Sequence, residues 1–373
     1  MSEKLIINIG GNKILLNDLG HNVNEQFVSW YQSMLGLPAI NMEHFKTNSH
    51  AYFNYVEGED NKFERHDSYF NNFTSVWISL INQKRFAEAE NIWREALEIT
   101  LEWEKERGLR VHKGTPYYFW AVTCFLNEDL ETGFWLMNQA LIEDIITSRN
   151  DEPNTPAKFF LYFETIPQQQ FFRNKLLEIK DFLDKKLIKN YSNSRDRPFD
   201  YLSFENKFLK NQEIIKDVKF HFNLNVFRLK KILNQQKPDA KNTIASLLYL
   251  EILFDLCRVF EYLIIPSNPP NLFRDITSFA LKYKPNSVIR NLQNATEFNT
   301  ANFMNTLTLI LDGTYKINNS NLDEIEKDIL ITYGFRNFGA HKIEENELII
   351  NNFEIIVQSI LNSIFLAIEL KEN

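Results

Sequence analysis

Residues 321–341 read NLDEIEKDILITYGFRNFGAH. Asn321, followed three residues later by Glu324, has the form of a capping box, in which two side chains satisfy each other's backbone N–H groups at a helix start. Leu322, Ile325, Ile329 and Tyr333 then recur at helical spacing, which predicts a helix over 322–338 with one apolar stripe turned to a core. Arg336 continues that stripe, and a guanidinium on the buried side of a helix demands an anion or a dense set of acceptors. His341 lies five residues further on, about 500° around an ideal helix, so the two side chains diverge by roughly 140° if the helix continues. Gly339 permits a left-handed exit that swings His341 back toward Arg336.

Working outward, the same periodicity predicts helices over 212–234, 244–265, 272–283, 301–311 and 350–369, and with them a helical bundle spanning 198–373. The longest apolar run, 244–265, contains Glu251, Asp255, Arg258 and Glu261, and four ionisable groups argue against a membrane span. Glu251, Asp255 and Arg258 fall at spacings of four and three and share one side of that helix. They either line a cleft beside the 336–341 segment, together with Tyr333, or form a charge network within their own helix. The polar, turn-forming residues 190–198 predict a domain boundary.

Before that boundary the chain changes character twice. Residues 1–20 predict a small β-hairpin, because Leu5-Ile6-Ile7 and Ile14-Leu15-Leu16 flank Gly10-Gly11-Asn12; the expected fold class is otherwise all-α. Phe86-Ala87-Glu88-Ala89 with Trp93 and Ala96-Leu97 repeats as Leu130-Glu131-Thr132-Gly133 with Met137 and Ala140-Leu141, at a constant offset of 44 residues. Small residues at matched places let antiparallel helices approach closely, and the large residue four positions on fills the groove between them. The pattern resembles the second helix of tetratricopeptide repeats. The excess over a 34-residue period is expected in an elongated helix or connection near 100–114, and helices over 157–165 and 169–189 are expected to complete the stack. The organisation read from sequence is therefore 1–70, a repeat-like region over 71–192, and the bundle over 198–373.

Composition narrows the function classes. Of 373 residues, 44% are apolar and 14% aromatic, which excludes a disordered chain. The formal net charge is −8, but residues 171–240 hold 16 basic against 9 acidic side chains and form the basic part of the chain. Such a stretch either helps to hold RNA phosphates or is a solvated lysine-rich helix face. Only Cys124 and Cys257 are present, each within an apolar helical pattern, so neither a disulfide framework nor a thiolate metal site is expected. His21, His44, His50, His66, His112 and His221 show no ligand spacing, and no metal or other cofactor is expected. With no secretory leader and no membrane segment in view, the cytoplasm is the default compartment.

The Arg336-Asn337-x-x-x-His341 pattern, set before a long final apolar helix, resembles the signature of the HEPN superfamily. That resemblance implies a helical bundle with metal-independent endoribonuclease activity, in which Arg336 and His341 are the catalytic pair and Asn337 the accompanying polar residue. It also implies RNA as substrate, a homodimer through the carboxy-terminal domain that brings two motifs to one cleft, and a role in prokaryotic defence or stress. Ile343 departs from the toxin branch paired with nucleotidyltransferase antitoxins, which carries Tyr at that place. The amino-terminal helices are then expected to meet a protein partner or regulatory ligand. Non-catalytic members of the superfamily leave a second expectation open, a dimerisation or nucleotide-binding module.

Overall fold

The computed structural model of the chain describes residues 6–9, 12–15, 39–43, 45–47, 49–50, 68–108, 110–150, 153–163, 170–234, 243–265, 271–292, 298, 302–338 and 346–371. The fold is all-α, with two short two-stranded sheets among the described residues. The chain divides into two compact units, Met1–Ile166 and Pro167–Asn373.

In the first unit, β1 (Ile6–Ile9) and β2 (Asn12–Leu15) pair antiparallel with Ile6 opposite Leu15, the expected hairpin. Then come α1 (Ser68–Asn82), α2 (Phe86–Arg107), α3 (Gly114–Leu126), α4 (Leu130–Ser148) and α5 (Pro156–Leu161), each packed on the next. The 44-residue repeat is structural as well as sequential. Phe86 and Leu130, its aligned first residues, each open a helix. The turns before them match atom for atom: Lys84 and Glu128 are left-handed, with φ of 59° and 62°. Arg85 N–H donates to Leu80 O and Asp129 N–H to Cys124 O, both at 2.9 Å. These are the hydrogen bonds of a Schellman helix end, formed twice. Ala89, Ala96 and Ala140 are buried, and a Cβ on Gly133 would meet the Phe125 ring at 3.0 Å.

The core of this unit is aromatic. Trp93 stacks on Phe119 with ring centroids 5.4 Å apart, and the Trp77 indole donates to Thr123 Oγ1 at 2.7 Å. The length beyond a 34-residue period goes into α2, which runs to Arg107, and into the connection to α3, whose residues 110–113 are tied down by side chains of α2 and α4. Glu104 accepts from Val111 N–H at 2.8 Å, Arg110 donates to Glu143 at 2.7 Å, and His112 Nε2 lies 3.0 Å from Asp144.

The second unit begins with α6 (Gln170–Phe182), which continues through a π-helical stretch into α7 (Lys189–Arg195). Two sequence expectations are corrected here. The chain divides at residues 166–167 rather than within 190–198, and the segment expected over 169–189 falls in this unit rather than in the repeat-like stack. The physical reason is long-range pairing. Arg195 binds Asp328 side-on at 2.7 and 3.0 Å, and Arg197 binds Glu369 at 3.0 Å, so this polar segment is anchored to residues 133 and 172 positions away.

After α8 (Tyr201–Phe204) and a second π-helical turn come α9 (Lys216–Leu233), α10 (Thr243–Ile264), α11 (Leu272–Tyr283) and α12 (Phe303–Leu311). A two-residue hairpin, β3 (Lys316–Ile317) with β4 (Ser320–Asn321), leads into α13 (Glu324–Phe338), α14 (Asn346–Asn351) and α15 (Phe353–Glu369). Helices α10, α13 and α15 pack on one another, with α9 on α10 and α12 on α13. Because it is central, α15 is apolar nearly all round: Ile356, Ile360, Leu361, Ile364, Phe365 and Ile368 are fully buried.

The capping box of α13 lies two residues beyond its expected place. Asp323 and Glu326 exchange the reciprocal bonds, Glu326 N–H to Asp323 Oδ1 at 2.8 Å and Asp323 N–H to Glu326 Oε2 at 3.0 Å. Asn321 is instead paired to Lys316 in the hairpin.

Candidate functional site

Helix α13 carries the expected stripe. Leu322, just before it, and Ile325, Ile329 and Tyr333 are buried, and Arg336 follows on the same side with its side chain 29% exposed. Its anion is Glu261 on α10. Arg336 Nε donates to Glu261 Oε2 in a close bond, and Nη2 donates to Oε1 at 3.3 Å. The guanidinium carbon lies 5.5 Å from the centroid of the Phe254 ring. Phe254, Cys257 and Glu261 are spaced three and four apart, so one face of α10 supplies an aromatic plate, a buried thiol and a carboxylate to one cation. This side-on pairing spends Nε and Nη2 on Glu261 and leaves the two N–H bonds of Nη1 unengaged by it.

Burial is the main cause that pushes the Cys257 thiol well above its usual range; the nearby Arg336 charge pulls it down and Glu261 adds to the rise. Burial likewise pushes the Cys124 thiol up to about 12. Neither sulfur is a nucleophile at neutral pH. Both behave as core residues.

The other sequence-nominated residues separate. Asn337 is half-buried, one turn beyond Tyr333. Tyr333 is 3% exposed, packed against Phe298 and Phe273 at 5.4 and 6.3 Å, so it belongs to the core and does not line a cleft. Burial raises its phenol above the ordinary value, and the Asn337 side chain opposes that rise. Glu251 and Asp255 turn to α9, where Arg228 reaches them at 3.2 and 3.3 Å, and Arg258 is exposed. Asp255 follows Phe254, and consecutive helical residues point about 100° apart, which is why this acidic pair faces α9 while Phe254 faces Arg336. Of the two arrangements open to Glu251, Asp255 and Arg258, a cleft beside the motif or a network within their own helix, the acids form neither with Arg258: Glu251 and Asp255 make an interhelical clamp with Arg228. His341 and Gly339 lie outside the described residues.

Glu261 is the neighbour of Arg336 that the sequence alone did not single out. The signal was present: an acid four residues after Cys257 on an apolar stripe is as anomalous as Arg336 on its own stripe, and two such anomalies of opposite sign neutralise each other. Deeper in the unit, Asp328 is buried beneath Arg195 and accepts from Asn362 at 3.0 Å, while Thr332 bonds Ser363 at 2.9 Å. This network fixes α13 against α15 and so sets where Arg336 emerges.

A cleft of about 560 Å³ opens near the carboxy-terminal ends of α10 and α15, lined by residues that include Tyr262, Ile265, Asp275, Phe279, Lys282 and Leu370. Arg336 and Glu261 are not among its walls. Among the described residues no cluster of three or more His, Cys, Asp or Glu is arranged to hold a metal ion, and no helix is long and apolar enough to cross a membrane. Comparison with protein-family models, with curated proteins and with solved structures returns no match.

Proposed function

We propose that the carboxy-terminal unit is a metal-independent endoribonuclease of the HEPN type, acting in prokaryotic defence or stress in the cytoplasm. The observation that supports this reading is Arg336 itself. It stands at the end of a buried helix, fixed by a carboxylate and an aromatic face, with Nη1 not engaged by that carboxylate. A preorganised guanidinium of this kind stabilises charge that develops on a phosphoryl group, and the effect is strongest where water is scarce.

In this mechanism the ribose 2′-hydroxyl attacks the adjacent phosphorus and the 5′-oxygen leaves. His341 takes or gives the proton, since an imidazole with an ordinary pKa of about 6.5 holds both forms near neutrality. One imidazole does not serve as base and acid in a single turnover, so a second copy supplies the other across a two-fold axis. The amino-terminal unit meets a partner or regulatory ligand.

A second reading, a non-catalytic binding or dimerisation module, draws on the same ion pair: Glu261 already gives Arg336 its anion, as a purely structural cation requires. The two readings part on RNA. Cleavage by 2′-hydroxyl attack leaves 2′,3′-cyclic phosphate and 5′-hydroxyl ends, and Arg336→Ala or His341→Ala abolishes it on the nuclease reading without changing the far-ultraviolet circular dichroism. Undiminished cleavage by both variants rejects that reading.

A further inference from the structure

The first unit carries an exposed apolar face unrelated to the Arg336 site. Helix α4 turns Gly133, Phe134, Leu136, Met137, Ala140 and Leu141 inward. Its outer side exposes Trp135, Ile142 and Ile146 at 56%, 38% and 52%, with Tyr117 set edge-on to the indole at 6.5 Å. At 100° per residue, Glu131, Trp135, Asn138, Ile142 and Ile146 fall within an arc of about 80°, and Arg149 stands just past the last turn as the left-handed cap of the helix. Such a stripe is the narrow seam of a helix that pairs with another helix, and a contiguous exposed Trp and Ile surface marks an interaction site.

The order of side chains along the seam says what that other helix is. The acid stands at the amino-terminal end and the base at the carboxy-terminal end, equally far from residue 140. If a second copy of α4 lies antiparallel about a two-fold axis at that point, Glu131 of each copy faces Arg149 of the other, Trp135 covers Ile146, and Ile142 sits close to the axis. A parallel pairing sets Glu131 on Glu131 and Arg149 on Arg149. Like charges opposite one another cost affinity and opposite charges fix register, so the charge pattern selects the antiparallel arrangement. The contact is isologous, and Trp135 is the kind of large amphipathic anchor on which interface energy concentrates.

We infer that the outer face of α4 is a self-association surface, on which two copies of this chain pair antiparallel through Trp135, Ile142 and Ile146 with Glu131–Arg149 pairs at both ends. This assembly is separate from the carboxy-terminal pairing of the proposed nuclease and does not depend on RNA cleavage.

The test is light-scattering mass of the full chain across a concentration series. Trp135→Glu lowers the mass by half at concentrations where the wild type is associated, with an unchanged circular dichroism spectrum. Glu131→Arg and Arg149→Glu each weaken association about tenfold, and the two together restore it, because the pair is remade with reversed sign. A chain that is monomeric throughout overturns the inference. So does a mass unmoved by Trp135→Glu, which assigns any assembly to another face, or a double reversal no tighter than the single ones, which assigns the seam to a different protein.

Discussion

The ring of Phe303 occupies the space that a side chain on Gly334 would need: a Cβ built there would lie 1.8 Å from Phe303 Cε2. Phe303 is fully buried and meets Phe335 edge-on at 5.1 Å, so the ring has no open side to retreat into. The absent side chain is what seats α12 against α13.

Gly334→Ala therefore forces a core ring to move. Overpacking of this kind costs about 1–3 kcal/mol, while alanine in a helix interior recovers about 1, leaving a net loss of up to about 2 kcal/mol. Urea unfolding followed by circular dichroism measures it, and Phe303→Leu combined with Gly334→Ala is expected to lose less than the sum of the two single changes.

Removing Arg195 strands the buried Asp328. Arg195→Ala is expected to cost the second unit about 3–5 kcal/mol, whereas replacing both partners by apolar residues of similar volume costs much less. Equal losses from the single and double changes would contradict the assignment of the cost to an uncompensated charge.

How much of this was legible in the sequence depended on distance along the chain. The helix Leu272–Tyr283 was read to the residue, and the 44-residue repeat was visible because its signals, small residues and one large one, are local. The capping box was displaced because Asn321 is spent in a strand pair with Lys316, which no helix-start rule detects. Residues 190–198 read as a domain boundary because the acids that hold Arg195 and Arg197 lie far along the chain. Glu261 was overlooked as the partner of Arg336 for the same reason, being 75 residues upstream.

The repeated turns carry stored backbone strain. Lys84 and Glu128 are left-handed without being glycine. That conformation costs a residue with a side chain roughly 1–2 kcal/mol, so Lys84→Gly and Glu128→Gly are each expected to stabilise the first unit by about 1 kcal/mol after the entropy of glycine is subtracted. Tryptophan fluorescence isolates this unit, since all six Trp residues precede position 167.

Acid is expected to weaken the same unit through Glu88. Its carboxylate accepts from Arg85 and from Ile40 N–H at 2.7 Å, and the Arg85 bond is the main cause that lowers its pKa, with burial opposing and the Ile40 bond assisting. A lowered folded pKa means that unfolding takes up a proton. The stabilisation is complete above the unfolded value of about 4.3 and is lost as pH falls through the folded one. Urea midpoints of wild type and Glu88→Gln, read by tryptophan fluorescence, should therefore differ at pH 7 and converge at low pH. A gap that persists in acid would exclude the ionised pair as its source.

The central claim is that Arg336 and His341 act on an RNA phosphate without a metal ion. The most direct measurement is single-turnover cleavage of a mixed RNA pool in excess EDTA by the wild-type chain, Arg336→Ala and His341→Ala, with fold and mass checked for each. The account predicts cleavage by the wild type alone, leaving cyclic phosphate ends. Cleavage that stops on chelation, or that survives in both variants, contradicts it.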